Sequence, residues 1–377
     1  MNILQKIFLQ NFRSKSRYLK SIIFTHNNLI ISRKCAVYRH NFNSFSTIQP
    51  EDDKKSFCSS INDKLALDKP QLVDKNTLVI ETTKHRDLYK DIMEITKLRL
   101  CVLNLSVSLS TYIYYSAQLS LINLPLFAIG TLTIAMTTQV LNQIMETLYD
   151  KKMKRTQMRP LPKQRMTQKE AYTLALFLTS ISVASYSACC PHAILFTGSI
   201  LSLYIFCYTP LKRINNLAMH VGALVGALPA LLGSFAVTKS IVFSFNDPAF
   251  LLASYIFCWQ YPHFYGILYQ NKDDYAKAGF KFISNDESRT KIAYAQLMVA
   301  LLVIVGIAFK MREKKILNDY TLMAFLGFHA YNVVPCALFI TNPSKYCKIM
   351  RVRSYTPFLI ILAAFINASM SKNVDDK

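Results

Sequence analysis

Nine apolar stretches constrain the fold of this chain more than any other feature: 98–117, 121–145, 171–189, 193–210, 216–237, 249–269, 292–309, 319–340 and a shorter one at 355–370. About 20 apolar residues span the hydrocarbon core of a bilayer. Inside lipid, every backbone N–H and C=O must find its partner within the segment, which leaves the helix as the conformation for each stretch. The chain is therefore expected to be an all-α polytopic membrane protein with about nine transmembrane helices. A hydrophobic fraction of 52% agrees with this, and the net charge of +22 then reads as loop asymmetry facing a membrane. A soluble nucleic-acid binder is excluded by the spans.

Counting loops across nine spans places 146–170, 208–215, 270–291 and 341–354 on the face that also bears the N-terminal region. These loops hold most of the cations, among them Lys151, Lys154, Arg155, Arg159, Lys163, Arg165, Lys212, Arg213, Lys272, Lys345, Lys348, Arg351 and Arg353. The opposite face has Lys239, a group from Lys310 to Lys315 and the C-terminal lysines. By the positive-inside rule the cation-rich face is the protein-synthesising side of the membrane, which in an organelle is the matrix.

Residues 1–50 carry eight cations (Lys6, Arg13, Lys15, Arg17, Lys20, Arg33, Lys34 and Arg39), and no acid precedes Glu51. Ile3, Leu4, Ile7, Phe8 and Phe12 can share one helix face with basic residues around the other, the pattern of a mitochondrial transit peptide. Residues 51–95 are polar and mixed in charge, as in a linker; 96–370 form the membrane domain and 371–377 a tail. The nine cysteines lack metal-ligand spacing and lie mostly within apolar spans, where they serve as small hydrophobes.

Chemistry concentrates in NQIMETLYDKKMKRTQMRPLP, residues 142–162. Asn142, Glu146 and Asp150 recur every four residues and so share one narrow arc of a helix, with Gln139 one turn earlier. Two acids so placed can share Mg²⁺, which favours a few carboxylates plus the oxygens of a bound phosphate. Lys154, Arg155 and Arg159 follow and suit the remaining phosphate charge. Pro160 and Pro162 are expected to end this helix. The competing reading is a juxtamembrane cluster whose cations meet lipid headgroups. Acids within the last turns of an apolar helix are expensive and usually functional, which favours a diphosphate site.

Three further regions bear on the same site. Tyr-Thr-Pro-Leu-Lys-Arg at 208–213 leaves Lys212 and Arg213 at a helix end, as a lipid anchor or a second diphosphate clamp. Gly222 and Gly226 have the small-residue spacing that lets helix backbones approach, and Pro229 can widen a neighbouring cavity. If the helix at 249–269 continues past Pro262, then Gln260, His263, Ile267, Asn271 and Asp274 form one polar stripe that should face a cavity. His220 and His329 lack such company and read as structural.

The motifs N-x-x-x-E-x-x-x-D with R-T-x-x-R-P-L at 142–161, Y-T-P-L-K-R at 208–213, G-A-L-V-G-A-L-P at 222–229, and W-Q-x-P-H-F with D-Y-x-x-A-G at 259–279 together resemble the UbiA-type intramembrane prenyltransferases. Within that family they are most similar to the branch that transfers farnesyl to protoheme. The resemblance covers roughly 90–370 and implies a nine-helix bundle around a central lipid-accessible cavity, with the diphosphate site capped by the loops after the second and sixth helices. It implies Glu146 and Asp150 as Mg²⁺ ligands, with Asn142 and Arg155 completing the catalytic set. Lys154, Arg155, Arg159, Lys212, Arg213 and Lys272 would hold diphosphate, and Gln260 and His263 would face protoheme. Asn271, Asp273, Asp274 and Tyr275 stand where relatives carry a second acidic motif. The implied reaction converts protoheme IX, farnesyl diphosphate and water to heme O in heme A biosynthesis for cytochrome c oxidase. It sets the chain in the mitochondrial inner membrane, in contact with lipids, heme A synthase, oxidase assembly factors and a second copy of itself.

Ala218-Met219 and Ser234 depart from that branch, where Asn-Thr and Trp are common, and these changes are expected to touch the cavity lining. Transfer to a quinone precursor, or a non-enzymatic membrane transporter, are the alternatives. Trp259 to Phe264 and the altered second acidic motif argue against the first, and acids and cations gathered from three loops onto one face argue against the second.

Overall fold

The computed structural model describes residues 87–281 and 287–375, so the basic segment 1–50 and most of the linker lie outside the described residues. A short helix α1 (Leu88–Thr96), within the stretch read as linker, is followed by α2 (Leu98–Tyr115), α3 (Asn123–Asp150), α4 (Gln168–Cys189), α5 (His192–Leu211) and α6 (Leu217–Thr238). After these come α7 (Pro248–Gln270), the short α8 (Lys272–Ala278), α9 (Glu287–Glu313), α10 (Asp319–Thr341) and α11 (Pro343–Asp375). Among the described residues the nine long helices coincide in order with the nine expected spans. Seven of them, α3 to α6 and α9 to α11, are long and apolar enough to cross a membrane. The other two are α2 and α7, and Asn104 and Ser108 on α2 and Gln260 and His263 on α7 line an internal cavity.

Lipid is as apolar as leucine, so these helices are joined by close backbone approach and interhelical hydrogen bonds. Gly233 on α6 has no room for a side chain: a Cβ there would lie 2.0 Å from Ser108 O and 2.6 Å from Tyr112 N of α2. Ser108 Oγ donates to Pro229 O at 2.8 Å across the same contact. Between α3 and α4, Ser182 Oγ donates to Gly130 O at 2.8 Å, and Thr131 Oγ1 meets the Tyr186 hydroxyl at 2.9 Å.

The glycine pair at 222 and 226 works differently from the expected backbone contact. A Cβ at Gly222 would meet the Tyr208 ring at 2.6 Å, and one at Gly226 the Gln260 amide at 2.5 Å. These glycines admit two polar side chains to the cavity, and the backbone contact falls instead at Gly233.

Three local features set the site. First, α3 ends at Asp150, ten residues before Pro160, because the chain turns back on its last carbonyl: Thr156 Oγ1 donates to Asp150 O at 3.0 Å. Second, α5 widens to a π-helical turn over Leu203–Tyr208, where Thr209 N–H reaches back five residues to Tyr204 O. Pro210 cannot donate and its ring crowds the preceding turn, so the wider turn accommodates it. Third, α7 passes Pro262 but stops at Gln270, and α8 begins afresh at Lys272.

Candidate active site

The cavity encloses ≈ 280 Å³ between α2, α3, α5, α6, α7 and α11. Its walls are mainly apolar, from Leu103, Val107, Ile134, Pro229, Ile256 and Phe358. Gln139, Tyr204 and Tyr208 line it towards the cation-rich face, and Gln260, His263 and Tyr355 line the flank formed by α7 and α11. The acids of α3 lie beyond Gln139 by two turns (Glu146) and three (Asp150), about 10 and 16 Å along the axis.

Both acids are buried and both hold a cation. Lys212 Nζ donates to Glu146 Oε1 at 2.8 Å, each side chain 9% exposed. Asn142 Nδ2 donates to the other oxygen of Glu146 at 3.0 Å, while Thr209 Oγ1 donates to Asn142 Oδ1 at 3.2 Å and so fixes the amide. Arg159 NH1 pairs with Asp150 Oδ2 at 2.7 Å. Lys212 also lies over the Tyr208 ring, 4.2 Å from its centroid. Burial works against the Lys212 ammonium, but Glu146 more than offsets it and holds the group above its ordinary pKa. Four charges thus neutralise one another, which is the condition for keeping them at the end of an apolar cavity.

A fifth charge was not anticipated. Lys97 joins α1 to α2 in the left-handed conformation (φ 47°), and its Nζ donates to Gln139 Oε1 at 2.9 Å. Desolvation pulls its pKa from 10.5 down to about 7, aided by the charge of Arg159 and opposed by Glu146. Only its position as the last cation before the first apolar span marks it in the sequence. Its placement depends on α1, which is anchored by Gln143 Nε2 donating to Ile95 O at 2.7 Å and by Arg165 bridging Asp91 and Glu94.

The loops after the second and sixth spans meet. Arg155 N–H donates to Asp274 Oδ2 at 3.2 Å, and its guanidinium reaches the Tyr275 hydroxyl at 3.4 Å. Lys281 N–H donates to Lys212 O at 3.1 Å, which ties the loop after α8 to the second clamp. Arg213 covers the Tyr149 ring at 4.0 Å, with its Nε buried and without a hydrogen-bond partner among the described residues.

Other expected members stand apart. Lys154 and Asp273 are exposed and Lys272 is half-buried, and none has an ion pair or hydrogen bond through its side chain among the described residues. The polar stripe of α7 ends early: Asn271 Nδ2 turns back to cap Ile267 O at 2.7 Å, and Asp274 belongs to α8. Gln260 and His263 do reach the cavity, and Gln260 Nε2 donates to Ala223 O at 2.8 Å. Of the departing positions, Met219 lines the cavity, whereas Ala218 and Ser234 are buried outside its lining. His220 meets the Tyr261 hydroxyl through Nδ1 at 2.6 Å, and His329 Nε2 meets Leu301 O at 3.1 Å.

Among the described residues no three His, Cys, Asp or Glu side chains gather as a metal site. Glu146 and Asp150 still fit Mg²⁺ of the kind that takes one or two carboxylates and completes its octahedron with phosphate oxygens and water.

Fold and site together define a multi-pass membrane protein in which an apolar cavity adjoins a buried cluster of two carboxylates and two cations. The chain belongs to the UbiA prenyltransferase family, whose model matches residues 104–357. It is similar to the protoheme IX farnesyltransferase of Cytophaga hutchinsonii, 36% identical over 195 residues, 51% of this chain and 66% of that protein. The protein of the same name from Christiangramia forsetii is 30% identical over 253 residues, covering 65% and 83% of the two chains. The mitochondrial protoheme IX farnesyltransferase of Arabidopsis thaliana is 36% identical over 214 residues, 54% of this chain and 47% of that one. The aligned region thus spans from about half to four-fifths of these relatives. Among solved structures, a digeranylgeranylglyceryl phosphate synthase superposes with a TM-score of 0.61 at 15% identity, covering 75% of this chain and 99% of the other. A UbiA homolog from Archaeoglobus fulgidus bound to GPP and Mg²⁺ gives 0.52 at 13% identity with the same coverage. At these identities the structures bear on the fold.

Proposed function

We propose that this prenyltransferase transfers farnesyl from farnesyl diphosphate to a vinyl group of protoheme IX, with addition of water, to give heme O, diphosphate and a proton. The observation that carries the reading is the self-neutralised cluster Lys212–Glu146 and Arg159–Asp150, which adjoins an apolar cavity through Lys212 lying over the cavity-lining Tyr208. The names of the relatives supply the acceptor.

Substrate binding exchanges partners. Glu146 and Asp150 would hold Mg²⁺, with Asn142 steadying Glu146, while Lys212, Arg159 and Lys97 would meet the diphosphate oxygens. The metal, when bound, supplies Lewis-acid stabilisation of the charge that develops on the leaving diphosphate. Lys212 and Arg159 add fixed positive charge at the same place, in surroundings that exclude bulk water. Arg155, held through Asp274 and Tyr275, closes the loops over the site; Lys154, Arg213 and Lys272 supply cations around it, with Asn271 and Asp273 at the second loop. The farnesyl chain lies in the apolar cavity, and Tyr204 and Tyr208 face its reacting end. Gln260 and His263 face the acceptor.

The chain is proposed to lie in the mitochondrial inner membrane with its motif loops in the matrix, delivering product to heme A synthase. Membranes containing the protein, incubated with protoheme and farnesyl diphosphate with and without Mg²⁺, should yield heme O only with the metal. A prenylated quinone precursor as the product, with protoheme unused, would replace the proposed acceptor.

A further inference from the structure

The first turns of α11 carry Lys345, Lys348, Arg351 and Arg353, and Arg351 is placed unlike the others. It passes α7 at Gly266, where a Cβ would lie 2.7 Å from Arg351 Cβ and 2.8 Å from Cys347 O. Only glycine allows α11 so near, and the contact lies about one helical turn from His263 along α7 and one turn from Tyr355 along α11. Arg351 is half-buried, and no hydrogen bond, ion pair or ring contact engages its guanidinium among the described residues. Arg353, by contrast, covers the Tyr331 ring at 3.7 Å and donates to Tyr331 O.

In the neighbouring wall Trp259 also stacks on Phe358 and donates through Nε1 to Ser354 O at 2.7 Å, whereas His263 is incompletely engaged. His263 stacks on Trp259 with centroids 5.0 Å apart and meets Tyr355 edge-on at 4.8 Å. Its Nε2 faces the Tyr355 hydroxyl at 3.3 Å, while Nδ1 is buried with no partner among the described residues. Trp259, His263 and Tyr355 line the cavity, and Arg351 stands one helical turn from Tyr355 towards the cation-rich face. An aromatic stretch of cavity wall suits a flat apolar body, and an uncommitted guanidinium one helical turn beyond it suits a carboxylate.

We propose that Arg351 binds a carboxylate of the acceptor at the cavity rim, so that the acceptor's flat body lies against Trp259 and His263. This rests on the reading of the acceptor as protoheme, a porphyrin that carries two carboxylates. The contact sets orientation: a porphyrin held by its acid edge at the cation-rich face directs its vinyl edge into the cavity. It also sets specificity, because an acceptor without a carboxylate leaves the guanidinium unpaired.

Trp259 is the chain's single tryptophan, so quenching of its fluorescence reports porphyrin binding independently of turnover. The full-length protein and Arg351→Gln are titrated with protoheme and with its dimethyl ester, and heme O formation is followed in parallel. The unaltered protein should bind the diacid roughly ten- to hundredfold more tightly than the ester, the range of a charge-assisted hydrogen-bonded pair. Arg351→Gln should lose that factor for the diacid alone, leave ester binding unchanged and keep the KM for farnesyl diphosphate; Arg351→Lys should recover part of it. Equal losses for diacid and ester would make Arg351 a helix-packing or lipid-headgroup residue, and undiminished discrimination in Arg351→Gln would place the carboxylate elsewhere. If the unaltered protein makes no heme O, the functional reading fails, while the quenching titrations still decide for or against Arg351.

Discussion

Removing Glu146 and Lys212 singly and together separates holding the fold from performing the reaction. Lys212→Met leaves the Glu146 carboxylate with one amide donor in a site where both partners are 9% exposed. Breaking a buried pair costs about 3–5 kcal/mol, so this variant should unfold at a clearly lower temperature. Glu146→Gln keeps an acceptor for Lys212 and should cost less, near 1–3 kcal/mol. The double variant Glu146→Gln/Lys212→Met buries no unpaired charge and should recover most of the stability lost by Lys212→Met, since neutral replacements of buried pairs are often tolerated. Activity should not follow. Losing a metal ligand together with a cation on the leaving group removes several kcal/mol of transition-state stabilisation, roughly 10²- to 10³-fold in rate or more. The assays are thermal unfolding in detergent and the rate of heme O formation at saturating Mg²⁺. A double variant that is stable and retains a tenth or more of the activity would refute the assignment of this pair to the leaving group.

Gly233→Ala should lower the unfolding temperature by several degrees, because its Cβ would meet α2 backbone that cannot rotate away, at a cost of about 1–3 kcal/mol; Gly198→Ala, with open space around it, is the control, and equal stability of the two would refute the contact. With the Lys97 pKa at about 7, farnesyl diphosphate binds the protonated form better and must draw a proton above that pH. Affinity should therefore fall with rising pH, by up to about tenfold per unit, and Lys97→Arg should flatten the profile; an unchanged slope in Lys97→Arg would remove Lys97 from the site. Cysteines placed near Arg155, Lys212 and Asp274 should all resist an impermeant thiol reagent in mitochondria whose outer membrane alone is open, and labelling of one loop without the others would contradict their common face.

The helices were legible in the sequence because bilayer length and backbone hydrogen bonding act on each segment separately. The alignment of Asn142, Glu146 and Asp150 on α3 follows in the same way from helical period, and loop parity alone predicted that residues 146–170, 208–215 and 270–291 share a face. Contacts between helices follow no such local rule, since they depend on how each helix is rotated about its axis and where its neighbour's backbone can come close. Gly222 and Gly226 have the spacing of a backbone contact, yet Tyr208 and Gln260 occupy the space they leave. The stripe on α7 is cut at Asn271 because that side chain caps its own helix, a choice that periodicity does not register. Lys97 reaches Gln139, 42 residues away, only because α1 is fastened to α3 and the chain turns through a left-handed residue. Periodicity therefore set out the acids and cations of the site, and tertiary packing decided their partners, because a buried charge takes whatever counter-charge the neighbouring helices bring within reach.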